Sequence, residues 1–321
     1  MEGIAMRLTL SLLLITIIFL SNGYCEEGSP LPPIDPQMII AGLKHTESLL
    51  RTGKCRIHYQ DYSKLANAKK QLEAIFAFDS HRICYYYISD LTVTNEKLII
   101  LKDRGCKDLY ETRTQTLLMI GTKKKARVGG TKVKEIIPVS VERGVNLPFS
   151  HSWDPRNYGM RIRDLPIGYP LSQLFEKNGV KIIGVEKVKR GKEEIPCYLV
   201  ETKEKIWGKV QLWLDPQEGF LPIKMQMGDH WFMEMSYKLY KSNGQVVWFL
   251  EKGMWWSVGE KGDIIEKRIM EVKEFQLNVD ISDLFQVDFP PDKPVWDGNL
   301  SKYRPFKEIE KELKEIGLIT E

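Results

Sequence analysis

The chain has little of what usually announces chemistry. Its 321 residues include five cysteines and five histidines. His45, His58, His81, His151 and His230 are scattered, with no pair at metal-ligand spacing and no Cys pair beside them, so no metal site is expected. No serine stands in a nucleophile-elbow context, and Asp61, Asp79, Asp103 and Asp215 sit beside turn signals, where Asp serves the backbone. No carboxylate pair stands out for acid–base work, so the expectation is a protein without catalytic residues or cofactor. Charge of one sign is also missing. The 47 Lys and Arg against 43 Asp and Glu leave +4, too little to argue for nucleic acid, and no zinc-finger, phosphate-loop or RNA-binding aromatic signature occurs. With 24 Gly and 16 Pro the chain is neither collagen-like nor Pro-rich, and thirteen Tyr, twelve Phe and eight Trp supply too many core formers for disorder.

One long apolar run is present. Leu8 to Leu20 is uninterrupted and follows Arg7, and the chain turns polar at Ser21, Asn22 and Gly23. Thirteen residues at about 1.5 Å each fall short of a hydrocarbon core of roughly 30 Å. The run therefore reads as a secretory signal peptide over residues 1–23, with Ser21 and Gly23 at the positions a signal peptidase inspects. The rival reading is lipid anchoring at Cys25, against which Tyr24 argues, since the residue before a lipidated Cys is normally small. A periplasmic or secreted protein is expected.

Residues 24–33 read as a flexible linker, 34–297 as one main domain and 298–321 as an amphipathic helical tail carrying Phe306, Ile309, Leu313 and Ile316. Asp35-Pro36 is an N-cap and first-turn pair, and Ile39, Leu43, Thr46 and Leu50 fall on one helical face. Beyond Gly53, short runs rich in Ile, Val, Tyr, Phe and Thr predict strands at Cys55 to Tyr59, Leu72 to Phe78, Ile83 to Ile88, Leu98 to Leu101 and Thr114 to Ile120. Pro138 to Pro170 predicts a long irregular excursion ending in a short helix between Pro170 and Asn178-Gly179. A strand over Ile264 to Leu277, a helical turn at Ser282 to Phe285 and an edge strand at Val287 to Pro290 are expected after it.

Between Gly208 and Met254 the hairpins can be aligned. Pairing Leu214 with Leu221, Lys224 with Glu234 and Tyr237 with Trp248 collects Leu212, Ile223, Met225, Met227, Trp231, Met233, Met235 and Trp248 on one face. Lys209, Gln211, Lys224, Gln226, Glu234, Ser236 and Lys238 take the other, the alternation of an antiparallel sheet with one solvated side. Six of the eight Trp lie between Trp207 and Trp256.

The order of elements, with Leu212-Trp213-Leu214-Asp215-Pro216, a Gly219 turn, Leu221-Pro222-Ile223-Lys224, and finally Asp283-Leu284-Phe285 and Asp288-Phe289-Pro290, resembles the LolA-like superfamily of outer-membrane lipoprotein-sorting carriers, particularly its larger exported relatives. The resemblance implies a mainly β fold, an incomplete antiparallel β-barrel with a helix across its concave face, and an apolar cavity for acyl chains. The eight residues of the apolar face are then the expected ligand-binding set. The expected function is an exported apolar-ligand binder that carries or senses lipid or acylated lipoprotein without catalysis. The alternatives are an envelope hydrolase with a site assembled from distant residues and an envelope-stress regulatory sensor.

Two further expectations concern particular side chains. Lys123, Lys124, Lys125, Arg127, Lys132 and Lys134 crowd around Gly129-Gly130, a hairpin tip placed to touch anionic headgroups or an acidic envelope protein, or simply solvated. Cys84 and Cys106 are symmetric about Asn95, so a hairpin centred there predicts a disulfide between them.

Overall fold

The computed structural model describes residues 31–94, 97–102, 104–122, 124–128, 132–144, 154–162, 169–242 and 244–320. The signal-peptide and Cys25 expectations lie outside these residues. The carboxylate of Asp35 accepts from the Gln37 amide, and Pro36 fills a first-turn position that needs no amide. Together they open α1 (Pro36–Leu49), which buries Ile39, Ile40, Leu43 and Thr46.

Strands then dominate. The first half holds β1 (Gly53–Ser63), β2 (Ala68–Phe78), β3 (Arg82–Thr94), β4 (Lys97–Lys102), β5 (Lys107–Glu111), β6 (Thr116–Ile120), β7 (Lys124–Val128), β8 (Lys132–Ile136) and β9 (Val139–Glu142). Short pieces β10 (Arg161–Ile162) and β11 (Tyr169–Pro170) precede α2 (Leu171–Asn178). The second half holds β12 (Lys181–Arg190), β13 (Glu193–Glu204), β14 (Gly208–Asp215), β15 (Leu221–Met227), β16 (Trp231–Ser242), β17 (Gln245–Val258) and β18 (Ile264–Leu277). After them come β19 (Pro294–Asp297), β20 (Lys302–Pro305) and α3 (Phe306–Glu315).

Sixteen strands make one sheet in the order β12-β13-β14-β15-β16-β17-β18-β1-β2-β3-β5-β6-β9-β19-β20, with β4 attached to β3. All its neighbours are antiparallel except β9 and β19. The sheet stays open, with β12 and β20 at its edges, so the fold is mainly β and the barrel incomplete. Its two long meanders meet where β1 pairs with β18.

Both faces of the sheet carry apolar cores. On the front, the buried set runs from Val200, Val210, Leu212, Met225 and Met235 to Met270, Ile57, Phe76 and Tyr85. On the back, Ala77, Cys84, Leu109, Leu118 and Val141 pack with Phe285, Phe289, Phe306, Ile309 and Leu313. At about 1.5–3 kcal/mol for each large side chain buried, α3 is held firmly against the sheet rather than trailing from it.

Several expectations are corrected. Val287–Pro290 forms no strand; Phe289 turns into the back core, and the edge of the sheet on this side is β20. The Cys84–Cys106 disulfide is not formed, and both thiols are free. β3 and β4 do pair, with Thr94 opposite Lys97, but irregular pairing after Asp90 and the extra strand β4 slide the partner along. Cys84 consequently faces Leu109, and the Cys106 carbonyl accepts from Tyr87. Three residues of strand, about 10 Å, separate two groups whose Cα atoms must approach within roughly 7 Å to be bridged. The Cys84 thiol donates instead to the Leu284 carbonyl, and burial pushes it up to about 12.

Candidate functional site

The front face is built by alternation. Leu212 pairs with Met225, Val210 with Met227, Met225 with Met233 and Met227 with Trp231. The expected pairing of Leu212 with Ile223 is two residues off, a slide that preserves which side each Met occupies, and Ile223 becomes the extra, still buried, residue of a bulge. Lys224 does face Glu234 as expected, and its ammonium lies 4.5 Å from the Trp213 ring on the other side.

Trp248 is the member of the expected set that the structure places elsewhere. The β16–β17 ladder closes with Ser242 opposite Gln245 and is broken by a bulge after Ser236, so Trp248 pairs with Leu239 and is only half-buried. The buried positions of β17 are Val247, Phe249, Leu250, Gly253, Trp255 and Ser257. Val247 and Phe249 are thus core residues.

What covers this face is the chain itself. α1 lies close above the β14–β15 turn: a methyl on its Gly42 would stand 2.4 Å from the Phe220 ring, and one on Gly219 would stand 2.6 Å from Thr46. Glu47 ties α1 to α2, accepting from the Ser172 amide at 3.1 Å and from the Ser172 hydroxyl. Burial raises the Glu47 carboxyl above its ordinary range, with those hydrogen bonds working against it.

The third cover is residues 154–162, part of the excursion expected to be irregular. Asp154-Pro155 repeats the grammar of Asp35-Pro36 and starts a 3-10 turn. The Arg156 guanidinium donates to both Asp154 oxygens at 2.6 to 3.1 Å and sits 4.1 Å over the Phe78 ring. Both side chains are about 5% exposed or less. Burial alone would raise the Asp154 carboxyl, but the charge and hydrogen bonds of Arg156 outweigh it and hold the group below the usual range. Tyr158 presses onto Gly253, where a Cβ would meet its ring at 2.3 Å. The Tyr237 hydroxyl, shared between two acceptors, reaches the carbonyls of Tyr158 at 3.2 Å and Pro222 at 3.0 Å. This segment is a plug, and the sequence signalled it only through Asp154-Pro155.

Toward the rim formed by the 205–207, 228–230 and 259–263 turns, the face changes character. Trp207 meets Trp231 edge-on at 5.0 Å, Trp231 meets Trp255 at 4.8 Å, and Arg268 lies 4.4 Å over Trp255. Ser257, opposite Trp231 in the ladder, is buried, and its hydroxyl has no partner among the described residues. Glu204 is buried beside Trp207. The apolar pattern picked out Trp231 but gave no reason to join Trp207, Trp255, Glu204 and Ser257 to it.

β7 and β8 form their own antiparallel ladder, Lys124 opposite Ile136 and Val128 opposite Lys132, while Lys123 and Gly129-Gly130 lie outside the described residues. Among the described residues no group of His, Cys, Asp and Glu is arranged to hold a metal ion, and no helix is long and apolar enough to cross a membrane.

No protein-family model matches the chain, and no curated sequence does. Among solved structures it is similar to a LolA superfamily protein from Nitrosomonas europaea, at 11% identity and a TM-score of 0.42 over 80% of this chain and all of that one. A DUF1329 family protein from Desulfovibrio piger is similar at 11% identity and a TM-score of 0.41, over 78% of this chain and 97% of that one. A domain named for outer membrane lipoprotein sorting, from Vibrio parahaemolyticus, is similar at 8% identity and a TM-score of 0.40, again over 78% and 97%.

Proposed function

We propose that this protein is an exported binder of apolar ligands, which carries or senses lipid or acylated lipoprotein in the cell envelope and breaks no bond. The observation that supports it best is a Met- and aromatic-lined sheet face whose central cover, residues 154–162, lies outside the large sheet and any long helix and brings a buried ion pair with it. A buried pair adds little net stability against an apolar replacement. An acyl chain can therefore take the plug's place at modest cost. A chain of about sixteen carbons gains about 12 kcal/mol on full burial, which leaves micromolar affinity after several kcal/mol for immobilisation and displacement. Methionine suits such a face because it adapts to irregular partners. The run Leu8 to Leu20 supports export, and the β7–β8 hairpin supplies a peripheral contact with anionic surface.

A fluorescent fatty acid tests the reading. Gly253→Ala places a methyl against the Tyr158 ring and should tighten probe binding about tenfold by weakening the plug, a gain of about 1.4 kcal/mol. Met225→Asp should abolish binding, while Gln226→Asp, on the other side of β15, should leave it intact. If neither the wild type nor Gly253→Ala binds the probe, or if both Asp variants respond alike, the front face is only a core beneath its own covers.

A further inference from the structure

Most buried carboxylates among the described residues keep a cation beside them. Asp154 has Arg156 at 2.6 Å, Asp297 has Arg143 and Arg304 at 3.1 Å, Glu111 has Arg113 at 2.7 Å, Glu218 has Arg190 at 2.7 Å and Asp90 has Lys70 at 3.3 Å. Asp108 accepts from the Tyr87 hydroxyl and Asp215 from the Gln217 amide, whereas Glu204 combines an unmatched buried oxygen with no ion pair. It is 3% exposed, and among the described residues no Lys, Arg or His stands within ion-pair distance of it. One oxygen accepts from the amides of Ile206 at 2.7 Å and Trp207 at 2.9 Å, while the other is buried with no hydrogen-bond partner among the described residues. A carboxylate taken out of water this way is costly unless a positive group completes it.

The surroundings say what kind of positive group fits. The amide that Glu204 holds belongs to Trp207, whose ring stands edge-on to Trp231. Opposite Glu204 in the ladder is Gly208, and nothing lies within 4 Å of where a side chain there would begin. Aromatic faces attract weakly hydrated cations, with Trp the strongest of them. A second orphan, the Ser257 hydroxyl, lies across the ladder from Trp231 and can donate to an oxygen carried near the cation. A hard metal ion would want several oxygens, whereas one carboxylate oxygen and two indoles suit an organic ammonium.

We infer that Glu204, Trp207 and Trp231 form a site for an alkylammonium group at the rim of the front face, the carboxylate supplying the counter-charge and the indoles the walls. The group comes either from an aminolipid headgroup whose chain lies along the Met-lined face, which rests on the function proposed above, or from a soluble amine, which does not.

Isothermal titration with three probes tests this: tetramethylammonium, decyltrimethylammonium below its micelle concentration, and decanoate, which pairs a chain of the same length with the opposite charge. Decyltrimethylammonium should bind at least tenfold more tightly than decanoate. Glu204→Gln, whose side-chain oxygen can still accept from Ile206 and Trp207, should reduce that preference to less than threefold without changing decanoate binding. Trp231→Leu should weaken decyltrimethylammonium at least fivefold and Trp231→Phe less. Tetramethylammonium binding with no gain from the decyl chain would mark a soluble amine and count against the lipid reading alone. Equal binding of the two decyl probes, a preference that survives Glu204→Gln, or no binding of either ammonium would overturn the site. Decanoate binding would leave the lipid reading standing in each of those cases.

Discussion

The buried pair in the plug is the place to perturb first. Asp154→Asn keeps the shape of the side chain and its hydrogen bond to the Arg156 amide but removes the charge, leaving a guanidinium almost wholly out of water over Phe78. Breaking one partner of such a pair costs about 3–5 kcal/mol, a large part of a total stability of about 5–15 kcal/mol. Urea unfolding at neutral pH should show that loss as a lower midpoint with unchanged slope. The double change Asp154→Leu with Arg156→Met removes both charges and should recover most of the loss. Because Arg156 holds the Asp154 carboxyl below its ordinary value, its contribution is complete above the unfolded carboxyl value of about 3.9 and is lost as pH falls through the lower folded value. The acid limb of the stability curve should therefore be shallower in Asp154→Asn than in the wild type. A cost under about 1 kcal/mol, or a double variant as damaged as the single one, would mean that the plug sits in water and does not seal the front face.

Two more outcomes are expected. Thiol labelling of denatured, unreduced protein should modify both Cys84 and Cys106, and reductant should leave the urea midpoint unmoved; a bridged pair would lose about 2–4 kcal/mol on reduction. Changing Lys124, Lys125, Lys132 and Lys134 to Gln should weaken cosedimentation with anionic vesicles at low salt, each charge near a bilayer contributing about 1 kcal/mol, and unchanged binding would leave the tip a solvated turn.

Local chemistry made much of the fold legible. Asp35-Pro36 fixed the start of α1, Gly179 the end of α2, and the alternation around Lys224 and Glu234 the two sides of β15 and β16. Long strands with strict alternation carry their own register, because a one-residue slip exposes every apolar side chain. Bulges defeated that logic. The extra residues opposite Tyr237 and near Ile223 have no signature in residue type, so Trp248 was assigned to the wrong side and Ile223 to the wrong partner. Cys84 and Cys106 failed for the same reason, since the symmetry of a hairpin holds only until a bulge or an added strand intervenes. The front face was recognisable as apolar, but its cover was not. Residues 154–162 are few and mixed in polarity, and they gain their place only through tertiary contacts with Phe78, Gly253 and Tyr237. Glu204 was equally hidden, since an orphaned oxygen is a property of burial and not of sequence.

The seam between β1 and β18 has a further consequence. From β12 to β18, and from β1 to β6, neighbouring strands are close in sequence and can zip as hairpins soon after they emerge. The seam instead joins Gly53–Ser63 to Ile264–Leu277, strands from opposite ends of the domain. Until β18 exists, β1 is a bare edge exposing unpaired amides and carbonyls, a template for pairing with other chains. Long-range pairing of this kind must meet its loop-closure entropy before any contact rewards it, so the seam forms late and slowly. A chain growing from its N-terminus would thus hold two partly ordered halves with no sheet spanning them. The hazard to its yield would then lie in the interval before those halves meet, more than in the stability of the finished fold.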